Sequence, residues 1–381
     1  MSTELIVTNA RVVTADAAID GTVVVRDGII AEVAEAPSRA GGALDLAGDY
    51  LLPGLVELHT DNLEKHVAPR PGVRWPMQAA VLAHDAQLAS AGITTVFDAL
   101  TIADVDDNPV RAEMLHEAAQ SVGALQRAGL FRAEHLLHMR CEVGNASVVE
   151  TARSFLDDPL VRLVSLMDHT PGQRQFTSLS KYYEYYQGKW GYSDAEMEAL
   201  IAKRRDEQAR FSDRHRRDIV ALCAERHLAT ASHDDATVEH VEEALGFGIT
   251  ISEFPTTVAA ASEAHRRGMA VVMGAPNVVR GGSHSGNVSA AELAAAGILD
   301  ILSSDYVPFS LLHSAFLLHR TVAMPLPEAI TKISVNAARV VGLEDRGEIA
   351  PGQRGDLVQV HLTQGHLPVV RRVWRAGTRI L

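Results

Sequence analysis

Residues 5–16 (LIVTNARVVTAD) and 21–35 (GTVVVRDGIIAEVAE) alternate aliphatic, largely β-branched runs with polar pairs, and Asp27-Gly28 falls between two such runs. β-branched side chains suit a pleated surface, and Asp-Gly supplies the positive φ of a two-residue turn, so the pattern predicts strands joined by a hairpin. The same texture returns after Gly347, in GDLVQVHL and PVVRRVWRAGTRIL. Both ends are expected to fold together into a small β-sandwich, residues 1–50 with 346–381.

Between them, eight apolar segments read as buried strands: YLLPGLVELHTD, GITTVFDAL, AEHLLHMRCE, VRLVSLMDH, LATASHDD, GITISEFP, AVVMGAPN and DILSSDY. Helical patterns such as AQLASA, ALCAERH, VEHVEEALGFG, AASEAHRRG and SAAELAAAG fall between many of them. Alternation of this kind predicts a parallel sheet, and eight units favour a closed (β/α)8 barrel, an α/β fold of TIM-like form, over residues 51–345. The segment 172–218, with KYYEYYQGKW followed by a charged helix, is longer than an ordinary connection and is expected to be a lid or interface element. Its Tyr182, Tyr183, Tyr185 and Tyr186 fit either packing or a cover for a sugar.

The chain of 381 residues, 47% hydrophobic and 22% charged, supports a large core. Its formal charge of -13 argues against a nucleic-acid partner, which needs a basic face, but leaves room for an anionic small molecule in a locally basic pocket. No basic leader and no uninterrupted apolar run of membrane-spanning length is seen, so no membrane association is expected and the cytoplasm is the expected compartment. Cys141 and Cys223 form no CxxC and read as small core residues. A homo-oligomer, dimer or tetramer, is expected.

Side chains at i and i+2 of a strand share a face, so His59 and Asp61 can approach one ion from the end of the first strand. Alone that spacing says little. It gains weight because Glu142, His169, His233 and Asp305 stand at the ends of other strands, where barrel enzymes gather their catalytic groups. Three imidazoles and the carboxylates of this set suit two divalent cations, Zn, Mn or Fe, with Glu142 as the bridge. Asp305 is best placed to exchange a proton with the hydroxide while ligating weakly. His135, His138, His240 and His265 lie in element bodies and read as structural; His84 reads as either a support to the ligands or a neighbour of a helix cap.

For an anion, Arg280, Gly281, Gly282, Ser283, His284, Ser285 and Gly286 follow the seventh strand with a composition suited to a backbone nest. Lys65, Arg70, Arg74, Arg140 and Arg174 lie on or near strand-end loops and together would suit a polyphosphate.

The blocks LLPGLVELHTDNLEKH, RAEHLLHMRCE, VSLMDHTPGQRQF, KYYEYYQGK, ASHDDAT, EFPTT, MGAPNVVRGGSHSGN and ILSSDYVP resemble, in order and over nearly the whole chain, the PhnM-type branch of the amidohydrolase superfamily. That resemblance implies a (β/α)8 barrel with a β-sandwich and a binuclear metal site at His59, Asp61, Glu142, His169, His233 and Asp305. It further implies hydrolysis of α-D-ribose 1-methylphosphonate 5-triphosphate to the 5-phosphate and pyrophosphate, in the carbon–phosphorus lyase route of phosphonate breakdown. Two other readings use the same fold: hydrolysis of a cyclic amide or N-acyl substrate, and a scaffold without catalysis.

Overall fold

The structure is a computed structural model that describes residues 4–103, 109–172, 174, 182–183, 187, 192–283 and 286–381. Its strands are β1 (Glu4–Val13), β2 (Ala18–Arg26), β3 (Ile29–Ala34), β4 (Leu44–Asp45), β5 (Tyr50–Pro53), β6 (Leu55–Thr60), β7 (Ile93–Ile102) and β8 (Glu134–Glu142), then β9 (Val161–Met167), β10 (Ala229–His233), β11 (Ile251–Glu253), β12 (Ala270–Gly274), β13 (Ile301–Ser303), β14 (Leu357–Leu362), β15 (Pro368–Arg375) and β16 (Thr378–Arg379).

The two chain ends build one mixed sheet in the order β16-β15-β14-β5-β1-β2-β3, with β4 beside β1. Arg26 pairs with Ile29 across Asp27 and Gly28, whose φ values of 50° and 85° give the hairpin turn that the Asp-Gly pair predicts. Val7, Val12, Val23, Leu51, Leu357 and Trp374 meet in its core.

The second sheet is the barrel: eight parallel strands in the order β13-β12-β11-β10-β9-β8-β7-β6. Each of the eight apolar segments contributes one of these strands, and Thr60 forms a parallel bridge with Asp305, which returns β13 to β6. Helices lie between strands, among them Met77–Ser90, Val238–Gly246 and Val258–Arg266. The last two begin where Thr237 and Thr257 side chains accept the amides of His240 and Ala260, which satisfies one orphan donor each.

YLLPGLVELHTD is not one strand. Its first four residues belong to the mixed sheet as β5 and its next strand, β6, to the barrel, with Gly54 between them. A Cβ at Gly54 would lie 2.2 Å from Thr94 Oγ1 and 2.7 Å from Asp356 Cβ, so only glycine lets the chain pass from one sheet to the other here.

The charged helix expected after KYYEYYQGKW in the segment 172–218 is present and runs past it. Asp194–Glu225 is one helix of 32 residues, opened by a capping box between Ser193 and Glu196. Its second half, burying His215, Ile219, Leu222 and Cys223, leads into β10. Tyr182 is fully buried against Met197 and Ile201, with Tyr183 beside them, and so takes the packing role; Tyr185 and Tyr186 lie outside the described residues. Among the described residues no helix is long and apolar enough to cross a membrane.

By packing, the chain divides into two compact units: Met1–Asp98 with Ala118–Leu136 and Met273–Leu381, and Ala99–Glu117 with Leu137–Val272.

Candidate metal centre

In the first unit, β6 is buried along its whole length, which places His59 at 1% exposure near its end and Asp61 just past it. The Asp305 amide donates to the His59 carbonyl at 3.1 Å, and Thr60 Oγ1 donates to the Asp305 carbonyl at 2.7 Å. Three of the six predicted ligands thus sit on one junction of two strand ends. Glu57, fully buried below them, ties the junction together: it accepts from the His59 amide (2.7 Å), Ser303 Oγ (2.5 Å) and the Ser304 amide (2.6 Å). Burial pushes its carboxyl above the usual carboxylate range despite those donors.

Behind Asp61, the Asn62 amide reaches His84 Nδ1 at 3.1 Å and donates to Gln87 at 2.8 Å. His84 Nε2 meets Asp98 at 2.9 Å, and the other Asp98 oxygen holds His135 Nδ1 at 2.7 Å. His84 is therefore a support for the HTDN turn rather than a cap neighbour. Burial lowers the His84 pKa, whereas His135, although also buried, is raised to about 9 by Asp98 and Asp85.

In the second unit, Glu142 ends β8, His169 follows β9 by two residues, and His233 ends β10. His169 Nδ1 lies 2.7 Å from Glu142 Oε2, and His233 Nδ1 lies 2.7 Å from Glu253 Oε2 at the end of β11. A carboxylate on Nδ1 fixes an imidazole's tautomer and turns Nε2 outward as a ligand. Both Nε2 atoms face Asp234 Oδ2, at 3.9 Å from His169 and 3.5 Å from His233. That oxygen is buried and accepts no hydrogen bond among the described residues. Two imidazoles and an orphaned carboxylate oxygen within 4.8 Å of one another fit a divalent cation.

Arg216 backs the loop after β9, 3.0 Å from Asp168, and draws that carboxyl below its usual range against the effect of burial. Arg174, expected among the cations that together would suit a polyphosphate, is turned to carboxylates of the chain. It is buried, paired with Asp235 and with Glu243 at 2.8 Å, which commits its guanidinium to holding the β10 loop. A small pocket beside the histidines is lined by Glu142, Gly144, His169, Thr170, Arg204 and Glu207. Arg204, on the face of the long helix, and Arg140, two residues before Glu142, each bury an Nε that finds no acceptor among the described residues. Sequence reading named Arg140 and missed Arg204, Asp234 and Glu253.

The glycine-rich loop departs from its expected form. A short helix, Ala275–Arg280, follows β12, and Gly281 (φ 79°) caps it. The Gly281 and Gly282 amides donate to Val278 and Asn277 carbonyls at 3.1 and 2.8 Å, so neither is available to a phosphate nest. Arg280 is exposed there and Ser283 is half-buried; His284 and Ser285 lie outside the described residues. Lys65 is held over the Tyr306 ring at 5.0 Å and donates to the Tyr306 carbonyl, and Arg70 is exposed. His138 meets Ser165 Oγ at 2.9 Å.

A family model described as "Amidohydrolase family" matches residues 77–380. The chain is 46% identical over 378 residues to the α-D-ribose 1-methylphosphonate 5-triphosphate diphosphatase of Escherichia coli (strain K12), covering 99% of this chain and 100% of the relative. Among solved structures it is similar in fold to the N-acetylglucosamine-6-phosphate deacetylase of Pasteurella multocida, with a TM-score of 0.65 at 12% identity over 99% of both chains. It is also similar to the N-isopropylammelide isopropylaminohydrolase of Burkholderia multivorans ATCC 17616, with a TM-score of 0.65 at 17% identity over 99% of this chain and 98% of the other.

Proposed function

The chain belongs to the amidohydrolase family, and we propose that within it the protein hydrolyses α-D-ribose 1-methylphosphonate 5-triphosphate to the 5-phosphate and pyrophosphate. The observation that carries this reading is the 46% identity to the Escherichia coli diphosphatase over the full length of that enzyme. A shared fold alone would leave deacetylation or deamination equally open.

His59, Asp61 and Asp305 in the first unit, and Glu142, His169 and His233 in the second, are the residues that would hold divalent ions. Such ions, when bound, would provide a water nucleophile at neutral pH and neutralise charge on a phosphoryl group. The chain's own groups do the rest. Arg140 and Arg204, each with a buried nitrogen that finds no acceptor among the described residues, bind phosphoryl oxygens through charged hydrogen bonds. Asp305, half-buried on its strand junction, takes the proton from the attacking water and returns it during turnover. Glu57 and the Asn62–His84–Asp98 chain hold His59 and Asp61 while this happens. The protein acts in the cytoplasm as a homo-oligomer.

The test is phosphorus NMR of the purified protein with the triphosphate substrate and a divalent metal. Release of pyrophosphate with the 5-phosphate supports the reading. Release of inorganic phosphate only, or no turnover of the triphosphate together with turnover of an N-acyl or cyclic amide substrate, defeats it.

A further inference from the structure

We propose that Asp234 is itself a metal ligand, completing a site with His169 and His233 whose imidazoles are oriented by Glu142 and Glu253. This rests on the metal-dependent reading above and adds to it a ligand outside the six-residue set, with Glu142 orienting His169 through Oε2 in addition to the ion-holding part given to it there.

Four observations converge. Asp234 is 5% exposed, and burying a carboxylate oxygen without a hydrogen bond costs several kcal/mol unless a cation balances it. The contacts to the two Nε2 atoms, 3.9 and 3.5 Å, are too long for hydrogen bonds. They match the roughly 3–4 Å between neighbouring donors that bond lengths of about 2.0–2.2 Å to one ion imply. Both histidines carry a carboxylate on the opposite nitrogen at 2.7 Å, the pairing by which metal-bound imidazoles are fixed.

The last observation is the backbone. Asp234 has φ 55°, a left-handed conformation, and its amide donates to the Glu253 carbonyl at 2.9 Å. Successive residues of an extended strand point to opposite faces, so His233 and Asp234 would diverge if β10 simply continued. The left-handed turn lets both face one point. The neighbouring carboxylate has other work: Asp235 is paired with Arg174 and accepts from Ser232. Of the two adjacent aspartates one is structural and the other faces the imidazoles.

The experiment is Zn²⁺ titration of the full chain, stripped with chelator, against a chromophoric chelator. Asp234→Asn and Asp234→Gly are compared with Glu253→Gln and wild type, and circular dichroism is recorded on each stripped protein. Asn and Gly both accept a left-handed backbone, so the fold is expected to survive. Asp234→Asn should weaken Zn²⁺ binding by more than the about 10–100-fold expected of Glu253→Gln, which removes the carboxylate that orients His233. Asp234 variants that bind Zn²⁺ as tightly as wild type overturn the assignment. So do variants that fail to fold when stripped, since losing a ligand does not unfold a protein without its metal. A wild-type chain that binds no Zn²⁺ overturns the metal-dependent reading itself, a separable result.

Discussion

His135 offers a direct test of the buried charge chain behind the HTDN turn. It is fully buried, 2.7 Å from Asp98, 3.4 Å from Asp85 and stacked on Phe131 at 4.1 Å. Burial opposes its charge, yet the two carboxylates raise its pKa from 6.5 to about 9. A group that binds its proton more tightly folded than unfolded contributes stability that is complete below the unfolded pKa and lost as pH rises through the folded one. The rise from 6.5 to about 9, at 1.36 kcal/mol per pH unit, corresponds to about 3 kcal/mol. Asp98 titrates below its ordinary range and contributes nothing to this window. Urea unfolding midpoints of the wild type should therefore fall between about pH 6.5 and about pH 9, and Asp98→Asn, which removes the nearer carboxylate, should flatten most of that fall. An equal decline in both proteins would mean that another group carries the proton and that the chain behind Asn62 is held by neutral hydrogen bonds.

Asp305→Asn should keep fold and metal but lower kcat by about 10²–10⁴, checked by steady-state kinetics beside metal analysis; full rate would remove Asp305 from the proton transfer. Arg204→Met should lower kcat/KM for the triphosphate by about 1.5–3 kcal/mol, the scale of a charged hydrogen bond, and unchanged kinetics would leave Arg204 a packing residue. Gly54→Ala should lower stability by about 1–3 kcal/mol in urea unfolding, because its Cβ would overlap Thr94 and Asp356; an unaffected midpoint would show that β5 and β6 separate easily.

The strands were legible because a barrel strand is covered on both faces and so writes itself as a short apolar run, as in β6. His59 and Asp61 followed from strand periodicity, and the strand-end positions of Glu142, His169, His233 and Asp305 from the alternation of elements. Asp234 was hidden by the same rule that exposed them: read as an extended strand, it points away from His233, and nothing in a pair of aspartates announces which backbone turns left. Arg204 sits in KRRDEQAR, a stretch indistinguishable from a solvated helix face until the helix is packed. The RGG composition serves a phosphate nest and a helix cap equally, and the choice was made by the short helix before it, with Pro276 in its first turn. Arg174 looked like a loop cation because its partners, Asp235 and Glu243, lie about 60 and 70 residues further along the chain.

Left-handed residues stand immediately after barrel strands at Ala103 (φ 58°), Asp234 (φ 55°) and Phe254 (φ 56°), and two residues past β13 at Asp305 (φ 53°). Each sets what selection can try at its position before any chemistry is asked. A side chain other than glycine gives up about 1–2 kcal/mol in that conformation, least when it is Asn or Asp. At 234 and 305 the aspartates that conformation tolerates are also those the proposed chemistry uses, so stability and turnover select the same small alphabet. Position 254 is different. Phenylalanine gains nothing from a left-handed backbone, and its ring meets His233 edge-on at 5.5 Å. A library screened for folding alone should drift there toward Gly or Asn, while one screened for turnover should keep the aromatic ring, so enrichment at this single position separates the two pressures.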